Sequence, residues 1–432
     1  MHKLSNPSPE IDALEAAAMH AAQSGREADA VRHWSRILEL DPAHVRALGA
    51  LGQRAFRQGE MPAARAAFQR IVDADGTIPQ QWIHLAIACR NLHDEMAEDH
   101  AIQSALRIDP RELVALILRA NLLERRGKVH EASLAYGAVA AVAPPLPQLP
   151  PDLRPAVTEA IAHLAKYNRD KGNFLDSYLD QFYQTFAGED LSRFRTSVDI
   201  MVGRKKRFDS QSTLYHFPNL APIAFFDRTE FPWLDALEAA TDDIRDEFLD
   251  VLRTEEGFTP YISYPDGVPL DQFAELNNSP RWSAFHLFNF GQRVHANAAR
   301  CPKTMAALGP VPQPDQPGRT PSAMFSLLQP RTTIPAHVGV SNVRVVTHLA
   351  LIIPEGCSYR VGNEVRQWVP GKAWVFDDTI EHEARNGSDK LRVILMFDVW
   401  HPHLTPPERA LITALNAGMN AYIDGPAVAP SP

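Results

Sequence analysis

The chain has 432 residues, of which 45% are hydrophobic and 22% charged, with a formal net charge of −9. That length exceeds what one hydrophobic core serves and implies two or three domains. The acidic balance gives no electrostatic case for nucleic acid, and no uninterrupted apolar stretch approaches the roughly 20 residues of a membrane span.

Met1 to Asp12 carry Glu10 and Asp12 and lack the basic start, apolar run and small-residue cleavage site of a secretory signal, so the expected address is cytoplasmic. Cys89, Cys301 and Cys357 are too scattered for a disulfide framework or a Cys-based zinc site, and reduced thiols are expected. From about residue 11 to residue 146 the sequence matches itself at a period of 34. Asp41-Pro42, Asp75-Gly76 and Asp109-Pro110 recur as helix-ending turns, and Ala143-Pro144 closes the series. Gly25, Gly59 and Gly127 share a second position, with His93 as the departure. Ala18, Gly52, Ala86 and Ala120 are small where paired helices would cross, as are Ala30, Ala64 and Ala132, with Glu98 breaking that last set. The pattern resembles the tetratricopeptide family. The resemblance implies stacked helical hairpins and a concave groove that takes peptides or protein surfaces. The plainer alternative is an array that only spaces, caps or dimerises the rest of the chain.

A Pro-rich connector runs from Pro144 to Pro155, and 156–186 is amphipathic at helical spacing, which predicts a bridging helix. Arg204-Lys205-Lys206-Arg207 reads as a solvated or domain-edge run. From about Ser322 the period changes to short β-rich runs: Ala323 to Leu328, Val343 to Ile353, Ser358 to Val361, Glu364 to Trp368, Ala373 to Phe376 and Leu391 to Trp400. Gly362-Asn363 is a two-residue hairpin signal and Asn386-Gly387 a turn. The expected fold is a multidomain α+β chain: helical repeats over 1–148, linker and bridging helix over 149–190, a jelly roll over 191–412, and a tail over 413–432.

The residues that carry chemistry are His337 and His382, expected just outside strands. Imidazole suits Fe(II), and few protein ligands leave room for co-substrate and dioxygen. Arg392 should lie on the next strand, where a guanidinium pairs with a carboxylate that Ser326 also reaches. Arg344, Val346 and His348 share one strand face by period-two alternation. His401, His403, Trp282, Trp368, Trp374 and Trp400 read as packing residues.

The segments Ser326 to Pro330, Pro335 to Gly339, Asn342 to Arg344, His348 to Pro354, Trp368 with Gly371-Lys372, Phe376 to Glu383, and Arg392 with Asp398 to Pro402 resemble the aspartyl/asparaginyl β-hydroxylase family, over about residues 190 to 408. The resemblance implies a double-stranded β-helix and oxidative decarboxylation of 2-oxoglutarate by O2 at Fe(II), coupled to hydroxylation of a C–H bond. It implies His337 and His382 as iron ligands and Arg392 with Ser326 on the 2-oxoglutarate C5 carboxylate. His348 falls near the other carboxylate and Arg344 at a substrate carboxylate. The acid that related oxygenases carry two residues after the first His is absent here, as in the family, and Gly339 stands in its place. Asp377, Asp378, Glu381 and Glu383 are therefore expected to orient His382 or receive substrate. Val346 stands where members with a peptidyl-Asp substrate carry a second Arg. The implied substrate is a protein or peptide residue of Asp or Asn type recruited by the repeats. The alternatives are a small molecule or lipid acyl chain, or an interaction protein with an inactive oxygenase domain.

Overall fold

The computed structural model describes residues 9–424 and divides after Gly203 into two compact units. Part of the Met1 to Asp12 reading and the last residues of the expected tail, 425–432, lie outside the described residues.

The first unit opens with eight helices in antiparallel pairs: α1 (Pro9–Gln23), α2 (Glu27–Leu40), α3 (Val45–Arg57), α4 (Met61–Ala74), α5 (Pro79–Asn91), α6 (Glu95–Ile108), α7 (Leu113–Arg125) and α8 (Val129–Val142). The 34-residue period has a physical counterpart at each marked position. Gly25, Gly59 and Gly127 turn between paired helices at φ of +71, +76 and +69°, a region that glycine enters without strain. His93 adopts φ +59° at the same point. Asp41, Asp75 and Asp109 end helices, and each turns its carboxylate back onto a backbone N–H two residues on. Ala18, Ala86 and Ala120 are fully buried where helices cross. Glu98, the bulky departure, is also buried, and Arg125 reaches both of its oxygens at 2.6 and 2.7 Å. After the Pro-rich connector, α9 (Arg154–Thr185) stacks on α8 and α10 (Ser192–Met201) follows. The unit boundary thus falls later than the expected 190, because Val198 and Val202 are buried within the helical unit and Gly203 sits against Asn168.

Among its described residues the second unit carries eleven strands: β1 (Phe258–Pro260), β2 (Trp282–Asn289), β3 (Gln292–Arg293), β4 (Ala323–Leu328), β5 (Thr332–His337), β6 (Arg344–Ile352), β7 (Cys357–Val361), β8 (Glu364–Arg366), β9 (Ala373–Phe376), β10 (His382–Asn386) and β11 (Arg392–Trp400). They form two antiparallel sheets. The larger has the order β1-β2-β4-β11-β6-β9 with β3 on β2, and the smaller β5-β10-β7-β8. β7 and β8 are joined by Gly362-Asn363, the hairpin read from sequence. Two expectations change at the metal-ligand candidates. His337 is the last residue of β5 and His382 the first of β10, so both are within strands. Pro335 in β5 and the polar sequence His382-Glu383-Ala384-Arg385-Asn386 in β10 lack the apolar alternation of a strand. β5 tolerates its proline because it is an edge strand. The expected tail is also ordered up to residue 424. Pro406–Asp424 is a helix, with Ile412 buried and Asn416 donating to Gln316 at 2.8 Å. Among the described residues no helix is long and apolar enough to cross a membrane.

The repeat packing generates one expectation. A Cβ at Gly52 would lie 3.1 Å from Ala67 Cβ and 3.2 Å from the Phe68 ring. Gly52→Leu should therefore push α3 from α4 and cost about 1–3 kcal/mol. Urea unfolding followed by far-ultraviolet circular dichroism would show a lower midpoint, and an unchanged midpoint would refute this packing.

Candidate active site

Strand alternation separates the core of the second unit from its site. Phe325 and Leu327 of β4, Val345, Leu349 and Leu351 of β6, and Val393, Leu395, Phe397 and Val399 of β11 join the hydrophobic cluster that also contains Leu234, Ile244, Phe248 and Val251 from helical segments. The intervening residues, Ser326 on β4, Arg344, Val346 and His348 on β6, and Arg392 and Asp398 on β11, occupy the other face of the same sheet. There Val346, Leu328 and Ile394 pack with Ile334, Tyr359, Val361 and Ala384 of the smaller sheet. The polar groups are enclosed between two sheets whose remaining surfaces there are apolar.

β10 pairs antiparallel with β5 so that His382 lies opposite His337, and their ring centroids are 4.1 Å apart. His337 Nδ1 donates to the Pro335 carbonyl at 2.8 Å, and His382 Nδ1 donates to the Ile380 carbonyl at 3.0 Å. Since a carbonyl only accepts, both rings carry their proton on Nδ1 and keep the Nε2 lone pair open. Burial lowers the pKa of both imidazoles, that of His382 to about 3. Two neutral imidazoles with oriented lone pairs fit a divalent metal. Among the described residues no group of three or more His, Cys, Asp and Glu is placed to hold one ion.

Arg392 opens β11 and is 1% exposed. Its Nη1 makes a long 3.4 Å contact with the Ser326 carbonyl and its Nε has no partner. The described residues give it no carboxylate, and burial pulls its pKa down to about 10, which leaves it charged at neutral pH. Trp368 covers it, with the guanidinium carbon 5.1 Å from the ring centroid. Ser326 is buried beside it and accepts a hydrogen bond from Trp282 Nε1 at 3.3 Å. His348 is buried against Tyr359 and Phe376 at 4.9 and 4.8 Å, and its pKa is lowered by burial and then by the Arg392 and His382 charges. His348 Nδ1 and the indole nitrogens of Trp368 and Trp374 are buried without partners. The tryptophans are expected to pack. They do pack, and Trp368 and Trp374 additionally leave two N–H donors unmet near His348, a feature that composition and spacing do not signal.

Arg344 is held on both sides. Its Nη2 lies 3.0 Å from Asp378 Oδ2 and its Nη1 3.1 Å from Asp398 Oδ1. Burial raises the pKa of Asp398 to about 6. Asp378 also explains Gly339. The Gly339 N–H donates to the Asp378 carbonyl at 2.6 Å, and a Cβ at 339 would fall inside the Asp378 carboxylate. Of the other acids near His382, Asp377 accepts from the Thr379 N–H and hydroxyl, and Glu381 and Glu383 pair with Arg360. None of these three contacts the His382 ring in a hydrogen bond. His401 and His403 lie 5.0 Å apart, His403 bonded to Glu230, and the three cysteines are buried free thiols.

The profile of the family described as aspartyl/asparaginyl beta-hydroxylase matches residues 238–402. Over 200 residues the chain is 36% identical to the ornithine lipid ester-linked acyl 2-hydroxylase of Rhizobium tropici, covering 46% of this chain and 67% of that protein. Over 173 residues it is 35% identical to the aspartyl/asparaginyl beta-hydroxylase of Homo sapiens, covering 40% of this chain and 21% of that one. The match thus spans two thirds of the bacterial relative and about a fifth of the human one. Among solved structures, a TPR protein with an unusual peptide-binding site is similar over 40% of this chain and 86% of its own, at 17% identity and a TM-score of 0.31.

Two measurements check the site. Histidine nitrogen shifts in the metal-free protein should show both rings protonated on Nδ1 when neutral, with His382 titrating far below 6.5, at about 3, and His337 also below it; titration of either at 6.5 would refute its burial. Gly339→Asp, which rebuilds the acid that related oxygenases use, should displace Asp378 and lower the melting temperature by several degrees, on the order of 1–3 kcal/mol of overpacking. An unchanged thermal scan would show that the space beside Asp378 is free.

Proposed function

The chain belongs to the aspartyl/asparaginyl β-hydroxylase family, and from that premise we propose that it is an Fe(II)- and 2-oxoglutarate-dependent dioxygenase that hydroxylates a residue of a protein or peptide. The observation that carries the reading is the buried, unneutralised guanidinium of Arg392. A charge enclosed without a counter-charge is costly, and the natural remedy is an anionic ligand. A dicarboxylate that binds Arg392 at one end and a metal on His337 and His382 at the other meets both demands of the cavity. Bound there, Fe(II) with 2-oxoglutarate and O2 supplies the oxidative decarboxylation that hydroxylates a C–H bond.

The chain's own residues then have separate tasks. Arg392 pairs with the distal carboxylate, and because Trp282 already donates to Ser326 Oγ, the Ser326 proton is free to donate to the same group. Trp368 covers the guanidinium and keeps water from it. His348, neutral and with an unmet nitrogen, stands near the other carboxylate. The Pro335 and Ile380 carbonyls fix the orientation of the two imidazoles. The repeat array, of a kind that commonly forms a concave groove, is the proposed recruiter of the protein target. A cytoplasmic setting fits this reading. A second reading, hydroxylation of a lipid acyl chain or small molecule, is favoured by the likeness to the acyl 2-hydroxylase of Rhizobium tropici.

The test is succinate release from 2-oxoglutarate by the iron-loaded protein, with and without a peptide library, beside His382→Ala and Arg392→Gln. Turnover should rise with peptide and vanish in His382→Ala. Arg392→Gln should raise the KM for 2-oxoglutarate by about 100-fold or more, as expected for a lost charge-assisted pair worth roughly 3 kcal/mol. Stimulation by acyl lipids and none by peptides would favour the second reading. Absence of 2-oxoglutarate turnover under every condition would leave an inactive domain on a repeat scaffold.

A further inference from the structure

The outer face of the smaller sheet carries groups that the enclosed site does not use. Ile334 of β5, Ala384 of β10 and Tyr359 of β7 pack between the sheets, so their strand neighbours Thr333, Arg385 and Ser358 face outward. Register sets these three in one row. Arg385 lies opposite Thr333 on one side and Ser358 on the other, which places successive Cβ atoms about 5 Å apart. The row lines a concavity of about 530 Å3 that Arg331, Arg360 and Glu383 also line. Three guanidinia and one carboxylate face it, a positive excess in a chain whose formal net charge is −9.

Two of those guanidinia are answered within the protein. Arg331 pairs with Asp389 at 2.8 and 2.9 Å, and Arg360 pairs with Glu381 and Glu383 at 3.0 Å each. Arg385 is left over. Among the described residues neither its guanidinium nor the Thr333 and Ser358 hydroxyls have a hydrogen-bond or ion-pair partner. An ideal Cβ at Gly387 would lie 3.5 Å from Arg385 Nε, so the guanidinium lies beside a residue with no side chain to fill the space. The open concavity thus holds one free positive charge flanked by two free hydroxyls. A carboxylate offers two oxygens, both engaged by the guanidinium fork. A phosphate group offers the same pair, a further oxygen for the hydroxyls, and a charge of about −1.5 to −2. Val365, opposite Arg360 and 62% exposed, supplies apolar surface for whatever bears the phosphate.

We infer that this face binds the phosphate group of a small organic phosphate, with Arg385 as its counter-charge and Thr333 and Ser358 as flanking donors. The site is distinct from the one between the sheets and does not depend on the hydroxylase reading.

The full chain is titrated calorimetrically at constant ionic strength with inorganic phosphate, glycerol 3-phosphate and acetate. Both phosphates should saturate, glycerol 3-phosphate at least threefold the tighter, and acetate should bind at least tenfold more weakly than inorganic phosphate. Arg385→Gln, an exposed substitution, should weaken phosphate binding at least tenfold, and Ser358→Ala at least twofold. Arg392→Gln distinguishes the enclosed guanidinium. Phosphate binding that survives there and is lost in Arg385→Gln supports the outer site, and the reverse pattern overturns it. Arg385→Gln decides the question whether or not the Arg392 variant folds. Acetate bound as tightly as phosphate, or no saturation by either phosphate, also overturns the inference. Co-sedimentation with phosphatidate vesicles without saturation by a soluble phosphate makes a lipid headgroup the ligand and overturns the small-molecule assignment.

Discussion

A guanidinium buried without a counter-charge governs the design of the second unit. Arg392 begins β11, the strand that lies between β4 and β6 in the larger sheet, so it cannot turn to solvent without breaking register with Leu328 of β4. Enclosing it is least costly where the surrounding groups add no further unpaired charge. Its neighbours comply. Trp368 presents a ring face, Ser326 a hydroxyl already oriented by Trp282, and His348 a ring that its surroundings keep neutral. With the inner face of β4, β6 and β11 committed to polar residues, stability has to come from the outer face, where Phe325, Leu395 and Phe397 pack with Phe248 and Ile244. At about 25 cal/mol per Å2 of buried apolar area, such a cluster can support a polar cavity on the far side of the same strands.

The loops that follow β5 and precede β10 behave as one structure. Gly339, two residues after His337, bonds through its N–H to Asp378, four residues before His382. The segment after the unit boundary lies over both, with Gln211 donating to Thr379 and Leu214 to Val340 through their backbones. Asp378 then carries the connection to Arg344 on β6. The metal-ligand candidates and the substrate-contact candidate are thereby linked by one aspartate. The absence of a side chain at 339 is the condition for that aspartate to sit there.

The repeat unit shows how a departure from a pattern is repaired. Three repeats place alanine where Glu98 stands in the other, and the carboxylate is accommodated because Arg125 of the next repeat comes to both its oxygens. A buried acid of this kind is neutral in cost only while its partner remains. The same logic, an acid and an arginine tied together in low dielectric, holds Arg344 in the second unit.

Periodicity by itself determined the helical array, since a 34-residue repeat of turn, small and glycine positions has few structural solutions. It also determined which residues of β4, β6 and β11 share a face, because side chains alternate strictly along a strand. The family resemblance fixed His337, His382, Arg392, Ser326, His348 and Arg344 as the set to examine, and the tertiary structure brings them between the two sheets. What it could not disclose are the relations that depend on distant segments meeting. β5 carries a proline and β10 is mostly polar, and both look unlike strands until paired with each other. The donation from Trp282 to Ser326 and the pairing of Arg344 with Asp378 and Asp398 join positions 34 to 54 residues apart, and the donors of Trp368 and Trp374 are left unmet only once the sheets enclose them. A sequence records which groups a chain possesses. Whether a buried charge is answered by a neighbour or left for a ligand is settled only when the sheets close around it, because the cost of leaving it unpaired exists only once water has been removed.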